Sequence, residues 1–204
     1  MCIMKGSEMM GIIEVDAKGL DCPEPVIKTK KALDKIEEGT VVTYVDNKIA
    51  KDNVMKLAKS AGFDVSVDEK SNGYAVTILK GAEHASEEVL VDTHDLVILI
   101  KSAFMGEGDN ELGALLMKNF LYAVSETSPL PEKILFINGG VRLTVEGSES
   151  LDTIKSMADQ GVVIESCGIC LDFFHLKEKL AVGSVTNMYS IVETLSTAKR
   201  VLTL

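Results

Sequence analysis

Ile12, Ile13 and Val15 form a short apolar run that Gly19-Leu20-Asp21-Cys22-Pro23-Glu24-Pro25 interrupts. Beyond the break, Val26, Thr29, Leu33 and Ile36 recur at i, i+3, i+7 and i+10, one stripe of a helix, while Lys28, Lys31 and Lys35 share the wet side. Gly39 is expected to stop that helix. Val41 to Val45 predicts a second strand, and Ala50, Val54, Leu57, Ala58 and Ala61 predict a second amphipathic helix closed by Gly62. Phe63, Val65 and Val67 alternate with Asp64, Ser66 and Asp68, and Ser71-Asn72-Gly73 then turns the chain into Tyr74, Val76 and Ile78. The order βαβαββ over residues 11–80 predicts an α+β two-layer sandwich, two helices on one face of a four-stranded sheet.

Residues 81–93 turn acidic and irregular, with Glu83, Glu87, Glu88 and Asp92, and read as a linker to which Val89, Leu90 and Val91 add a short strand or docking segment. The second half, 94–204, has a different grammar. Leu96 to Ile100 and Ile134 to Ile137 are continuous apolar runs, as in strands buried on both faces of a parallel sheet. Between them a helix follows the polar loop Gly106 to Asn110, its expected buried stripe being Leu112, Leu115, Leu116, Phe120, Ala123 and Val124. Ser128-Pro129-Leu130-Pro131 ends that segment. Ser148 is the expected cap of a further helix with inner face Leu151, Ile154, Met157 and Ala158. Val162 to Ile164 predicts a third buried strand leading into a short helix over Ser166-Cys167-Gly168-Ile169-Cys170, followed by a helix near Met188 to Leu195 and a last strand at Val201. This alternation predicts a C-terminal α/β domain with a mainly parallel sheet, whose ligands bind at the carboxyl ends of the strands. The whole chain is therefore α/β in class.

Composition narrows the function. With 21 Lys+Arg against 31 Asp+Glu in 204 residues the formal net charge is −10, which disfavours nucleic acid as a partner. Aromatic residues are 5% and Trp is absent, so neither a base-stacking platform nor an aromatic sugar cleft is expected, and the core must be aliphatic. No apolar segment reaches the ~18 residues of a membrane span. The four Cys, at 2, 22, 167 and 170, are too few and too unevenly spread for a secreted disulfide scaffold. The expectation is a cytoplasmic protein without membrane partners, whose thiols stay reduced and serve chemistry rather than structure.

Cys22 is the first candidate. Proline is tolerated in the first turn of a helix, so Pro23 and Pro25 fix the turn and place Cys22 about at the N-cap, where the helix dipole favours a thiolate. Against that, both prolines remove N–H donors and Asp21 and Glu24 bring negative charge, leaving Lys18 and Lys28 to compensate. An inert thiol in a Pro-rich turn is the plain alternative.

Taken together, Gly19 to Pro25, the strand before and the βαβαββ order after resemble the TusA/SirA-like sulfur-carrier domain with its CPxP signature. The resemblance covers residues 11–80. It implies that Cys22 carries a persulfide, received from a cysteine desulfurase or another sulfur or selenium carrier and passed onward. The second half resembles the DsrE-like domain of sulfur relay, and the fusion, with Cys167-Gly168-Ile169-Cys170-Leu171-Asp172 after a strand, is similar to the YedF family, associated with selenium or sulfur metabolism. The resemblance implies a sulfurtransferase-like carrier if the chain is enzymatic at all, with neither metal nor organic cofactor. Self-association through the C-terminal domain is compatible with it.

The Cys167-x-x-Cys170 pair has other readings. A zinc site needs two more ligands, yet His84, His94 and His175 are scattered and no second CxxC exists. A thiol–disulfide oxidoreductase of thioredoxin type sets a cis-proline against its CxxC, and no proline follows Pro131. Two small core thiols are the plain structural alternative. As a relay, Cys167 is expected at the strand end as the reacting thiol, with Gly168 letting a partner approach, and Cys170 deeper as the resolving or packing thiol. Gly139-Gly140 reads as a backbone turn because it lacks the GxGxxG spacing, His175 as a packed or surface histidine, and Cys2 carries no role. The leading expectation is a sulfur or selenium carrier exchanging between Cys22 and the Cys167/Cys170 site. Its rival is a thiol-based redox sensor or regulatory module without transfer activity.

Overall fold

The computed structural model describes residues 11–81 and 96–204, in two units, Met1–Leu90 and Val91–Leu204. Cys2, His84, His94, Val89 to Val91 and, beyond Gly81, the expected linker lie outside the described residues.

The first unit runs β1 (Ile12–Asp16), α1 (Glu24–Asp34), β2 (Gly39–Val45), α2 (Lys48–Ser60), β3 (Asp64–Lys70) and β4 (Gly73–Lys80), the expected order. Its sheet order is β1-β2-β4-β3, with β1 parallel to β2 and the other pairs antiparallel. Period-two alternation buries Val41, Thr43 and Val45 of β2 with Val76 and Ile78 of β4. Ala32 and Leu33 of α1 and Ala50, Val54 and Ala58 of α2 close over them. The small alanines let both helices lie close to the sheet, so a thin layer still excludes water. Inside it, Thr29 Oγ1 donates to the Pro25 carbonyl at 2.7 Å and lies 2.9 Å from Thr43 Oγ1. A hydroxyl has one proton, so Thr43 is the donor to Thr29 and both buried groups are satisfied. Gly39 does not stop α1, which ends at Asp34. It opens β2 with φ +142°, where a Cβ would press on the Gly11 carbonyl oxygen.

The second unit runs β5 (Leu96–Ile100), α3 (Asn110–Ser125), β6 (Lys133–Phe136), α4 (Leu151–Asp159), β7 (Val163–Cys167), α5 (Gly168–Phe173), β8 (Ser184–Thr186), α6 (Met188–Thr197) and β9 (Arg200–Thr203). All pairs are parallel, in the order β8-β7-β6-β5-β9. On one face Ile98, Ile100, Ile134, Phe136 and Ile164 meet Met117 and Leu121 of α3 and Ile154 and Met157 of α4. On the other, Val97, Leu99 and Leu135 meet Ile191 of α6. Helices thus lie on both faces, as a parallel sheet requires.

Three local expectations are corrected here. Helix α3 buries Gly113, Met117, Leu121 and Val124, whereas Leu112 and Leu115 are each 54% exposed and Leu116 is exposed too. The helix is apolar around most of its circumference, so periodicity offered two stripes. Packing chose the one where Gly113 admits Phe104, whose Cβ would lie 3.0 Å from an added Cβ. The N-cap of α4 is Ser150, and Ser148 Oγ instead accepts the Ser150 N–H at 3.3 Å. Strand β7 extends through Cys167, and β8, only three residues long, carries too little periodicity to be foreseen.

Candidate functional site

The loop from β1 to α1 is fastened before it reaches Cys22. Ala17 N–H continues the β1–β2 ladder onto the Tyr44 carbonyl at 2.9 Å. Gly19 then takes φ +69°, a left-handed turn that suits glycine, and its N–H donates to Asp46 Oδ2 at 2.7 Å. The bond from Gly19, helped by the Asn47 amide at 3.1 Å and by Lys18, holds the Asp46 carboxyl below its usual range. Asn47 also caps α2, its Oδ1 accepting the Ala50 N–H at 2.8 Å. One dipeptide, Asp46-Asn47, therefore ties the Cys22 loop and starts the neighbouring helix.

Cys22 is exposed, and it sits one residue before the expected position. Pro23 is the N-cap of α1, its carbonyl accepting the Val26 and Ile27 N–H groups at 3.1 and 3.2 Å. Pro25 is buried in the first turn. Glu24 N–H is committed to the Asp21 carbonyl at 2.9 Å, and Pro23 and Pro25 have no N–H to give. The expected help from the helix N-terminus is thus spoken for. Lys28 pairs with Glu24 at 3.7 Å and Lys18 lies over the Tyr44 ring at 5.7 Å, so neither expected cation is dedicated to the thiol. What does reach the sulfur comes from α2: Asn53 Nδ2 lies 3.9 Å from Cys22 Sγ. The two residues line a cleft of about 250 Å³ with Leu20, Asp21, Val26, Asn47 and Ile49. Asp46, Asn47 and Asn53 were not singled out in sequence. A strand ending in Asp-Asn before a helix was the available signal for the first two, and Asn53 had none.

The second pair lies at the carboxyl end of β7, as expected, but with its accessibility reversed. Cys167, 1% exposed, is packed in the core beneath α6 with Val97, Leu99, Leu135 and Ile191. Cys170, in α5, is half-buried and accepts the Asn138 backbone N–H at 3.1 Å. Helical rise carries Cys170 up toward the loop after β6, whereas the last strand residue points down into the sheet core. Gly168 faces Val185 and the Thr186 carbonyl of β8, so its missing Cβ admits the chain's own strand rather than a partner. Burial raises the Cys170 thiol above its usual range and the neighbouring Cys167 raises it further, while the Asn138 N–H opposes both. Cys170 is therefore protonated at neutral pH in the resting molecule.

Asn138 adopts φ +47° at the head of the 3₁₀ turn Asn138–Leu143, the backbone turn expected at Gly139-Gly140. A Cβ on Gly140 would collide with the Ile100 carbonyl. The turn is tied to β7 by Ser166 Oγ, 2.9 Å from Thr144 Oγ1, which itself donates to the Val141 carbonyl at 3.0 Å. His175 is exposed, as expected. Among the described residues no three His, Cys, Asp or Glu side chains gather as metal ligands, and no helix is long and apolar enough to cross a membrane.

Fold and site together define a two-layer α+β unit presenting one exposed thiol beside a helix start, joined in one chain to a parallel α/β unit with a pair of thiols. A family model described as sulfurtransferase TusA matches residues 13–80. The Putative sulfur carrier protein YrkI of Bacillus subtilis (strain 168) is 40% identical over 52 residues, 25% of this chain and 69% of that protein. The chain belongs to the TusA family through this first unit. Among solved structures, the SirA-like protein of Desulfitobacterium hafniense is 43% identical, covering 34% of this chain and 97% of its own, with a TM-score of 0.33. The ychN protein from E. coli is 13% identical, covering 54% of this chain and 98% of its own, with a TM-score of 0.44.

Proposed function

We propose that this protein is a cytoplasmic sulfur carrier of two domains, a TusA/SirA-like domain over 11–80 and a DsrE-like domain over 94–204 separated by the linker 81–93. Cys22 takes up a sulfane sulfur, or selenium, and exchanges it with the Cys167/Cys170 site. The observation that carries the reading is the exposed Cys22 thiol, held on a fastened loop in a family whose relative is named for sulfur carriage. In the uptake step the Cys22 thiolate attacks the terminal sulfur of a donor persulfide. A new S–S bond forms at Cys22, the donor S–S bond breaks, and the donor departs as a thiolate with that electron pair while the proton stays on the transferred sulfur. No outside oxidant or reductant takes part. In the onward step Cys170, after losing its proton to solvent, attacks the outer sulfur of the Cys22 persulfide and Cys22 leaves as a thiolate, because Cys167 is closed to solvent and is better suited to resolve or to pack.

The donor is a cysteine desulfurase or another carrier. Its expected surface is acidic: α1 and α2 present Lys28, Lys30, Lys31, Lys48, Lys51, Lys56 and Lys59, whereas the opposite face of the sheet carries Glu14, Asp16, Asp64 and Asp68. Leucines exposed on α3 favour self-association of the second domain.

The test is loading by a cysteine desulfurase with labelled cysteine, followed by mass analysis without reductant. Added sulfur or selenium on Cys22, absent in Cys22→Ser, supports the carrier. Because Cys22 is exposed, that variant should keep its stability within about 0.5 kcal/mol. A Cys167–Cys170 disulfide with no added sulfur would instead favour the redox reading.

A further inference from the structure

Most of the polar groups around Cys22 are already engaged. The Glu24 N–H is bonded to Asp21, the Val26 and Ile27 N–H groups to Pro23, and both prolines lack a donor. Of the charged groups on the surrounding elements several are likewise committed or negative, while Lys48 and Lys56 of α2 stand exposed to solvent. Asp21 lines the cleft, Glu24 holds Lys28, Asp46 is bound by Gly19 and Asn47, Lys18 lies over Tyr44, and Lys51 is paired with Asp52 at 2.9 Å. An anion on the Cys22 sulfur would thus form beside Asp21, with the first N–H groups of α1 already spoken for and none of the described cations bonded to the sulfur. The group the fold brings to it is the neutral amide of Asn53, half-buried on α2 and 3.9 Å from the sulfur.

We propose that Asn53 is the positioning residue of this site, its amide N–H holding the Cys22 sulfur anion against the cleft. Asparagine suits the task because it donates without adding charge, and a carboxylate of the same shape would repel the anion. The distance is long for the neutral thiol and has room to shorten when the sulfur is ionised, since charge-assisted hydrogen bonds are shorter and stronger. The role extends to a terminal sulfur on Cys22, a point that rests on the carrier reading. The thiolate role does not.

The experiment follows iodoacetamide modification of each cysteine in the full chain by peptide mass across neutral and alkaline pH. Asn53→Asp should raise the pH midpoint of Cys22 modification and slow it about tenfold at neutral pH. Asn53→Ala should slow it about threefold. Helical circular dichroism checks that both variants fold, and alanine is a good helix former. A shift with Asp but not with Ala would show proximity without donation and overturn the proposal, as would wild-type profiles in both. In the unaltered protein, the Asn53 side-chain amide resonance should move as Cys22 titrates, and a resonance that stays still also overturns it. None of these readouts needs a sulfur donor, so they can succeed where the carrier reading fails.

Discussion

The backbone N–H of Gly19 donates to the Asp46 carboxylate at 2.7 Å, joining the loop that carries Cys22 to the end of β2. Replacing Asp46 by Ala should lower Tm by a few degrees at neutral pH and speed exchange of the Gly19 amide. The bond holds the folded carboxyl below its unfolded value. Its contribution is therefore present above the ordinary Asp range and is lost as pH falls through the lowered folded value. The difference between wild type and variant should shrink below about pH 4, measured by thermal melts along the acid limb.

Thiol accessibility predicts an order of modification at neutral pH: Cys22 first, Cys170 slower, Cys167 last. The raised Cys170 thiol should gain rate steeply as pH rises, since its thiolate forms above the usual cysteine range. Peptide mass mapping reads all three sites in one sample. Early labelling of Cys167 in folded protein would contradict the buried placement.

The second thiol site depends on the turn that follows β6. Gly140→Ala forces a methyl onto the Ile100 carbonyl and should destabilise the second unit by about 1–3 kcal/mol. It should also slow Cys170 labelling at a given pH, as the Asn138 N–H that favours the thiolate is drawn away. Unchanged labelling in a protein that has lost stability would separate the turn from the thiol.

The two-domain proposal predicts that residues 1–81 expressed alone melt cooperatively, keep their helical signal and label at Cys22 with the full-chain profile. A fragment without helical signal would show that the first unit needs the second.

Docking on the helix face predicts a salt-sensitive transfer. Lys48, Lys56 and Lys59 are exposed on α2, and changing all three to Glu should slow loading by an acidic donor about tenfold at low salt, with little difference at high salt. Stopped-flow or quench kinetics at two ionic strengths decide it.

How much of this was legible depended on whether information was local. The stripe Ala50, Val54 and Ala58 and the alternation in β3 announce their elements because each apolar face must meet a core. The βαβαββ order, the parallel second sheet and Cys22 in its Pro-rich turn could therefore be read from residue order. Helix α3 was harder, because its leucines outnumber its buried positions. Periodicity identifies an apolar helix, but only the neighbours decide which side they cover.

The thiol environments show the same division. Residue order placed Cys167 and Cys170 at a strand end, and it could not tell which would face solvent. That was decided when the last residue of β7 turned into the core beneath α6 and Cys170 rose to the Asn138 N–H. In the first unit, sequence named Cys22, while the Asn53 and Asp46 contacts span 31 residues to the thiol and 27 to Gly19. Local propensity acts over a few residues, whereas hydrogen bonds across such separations exist only after the sheet has set its register and the helices have packed upon it.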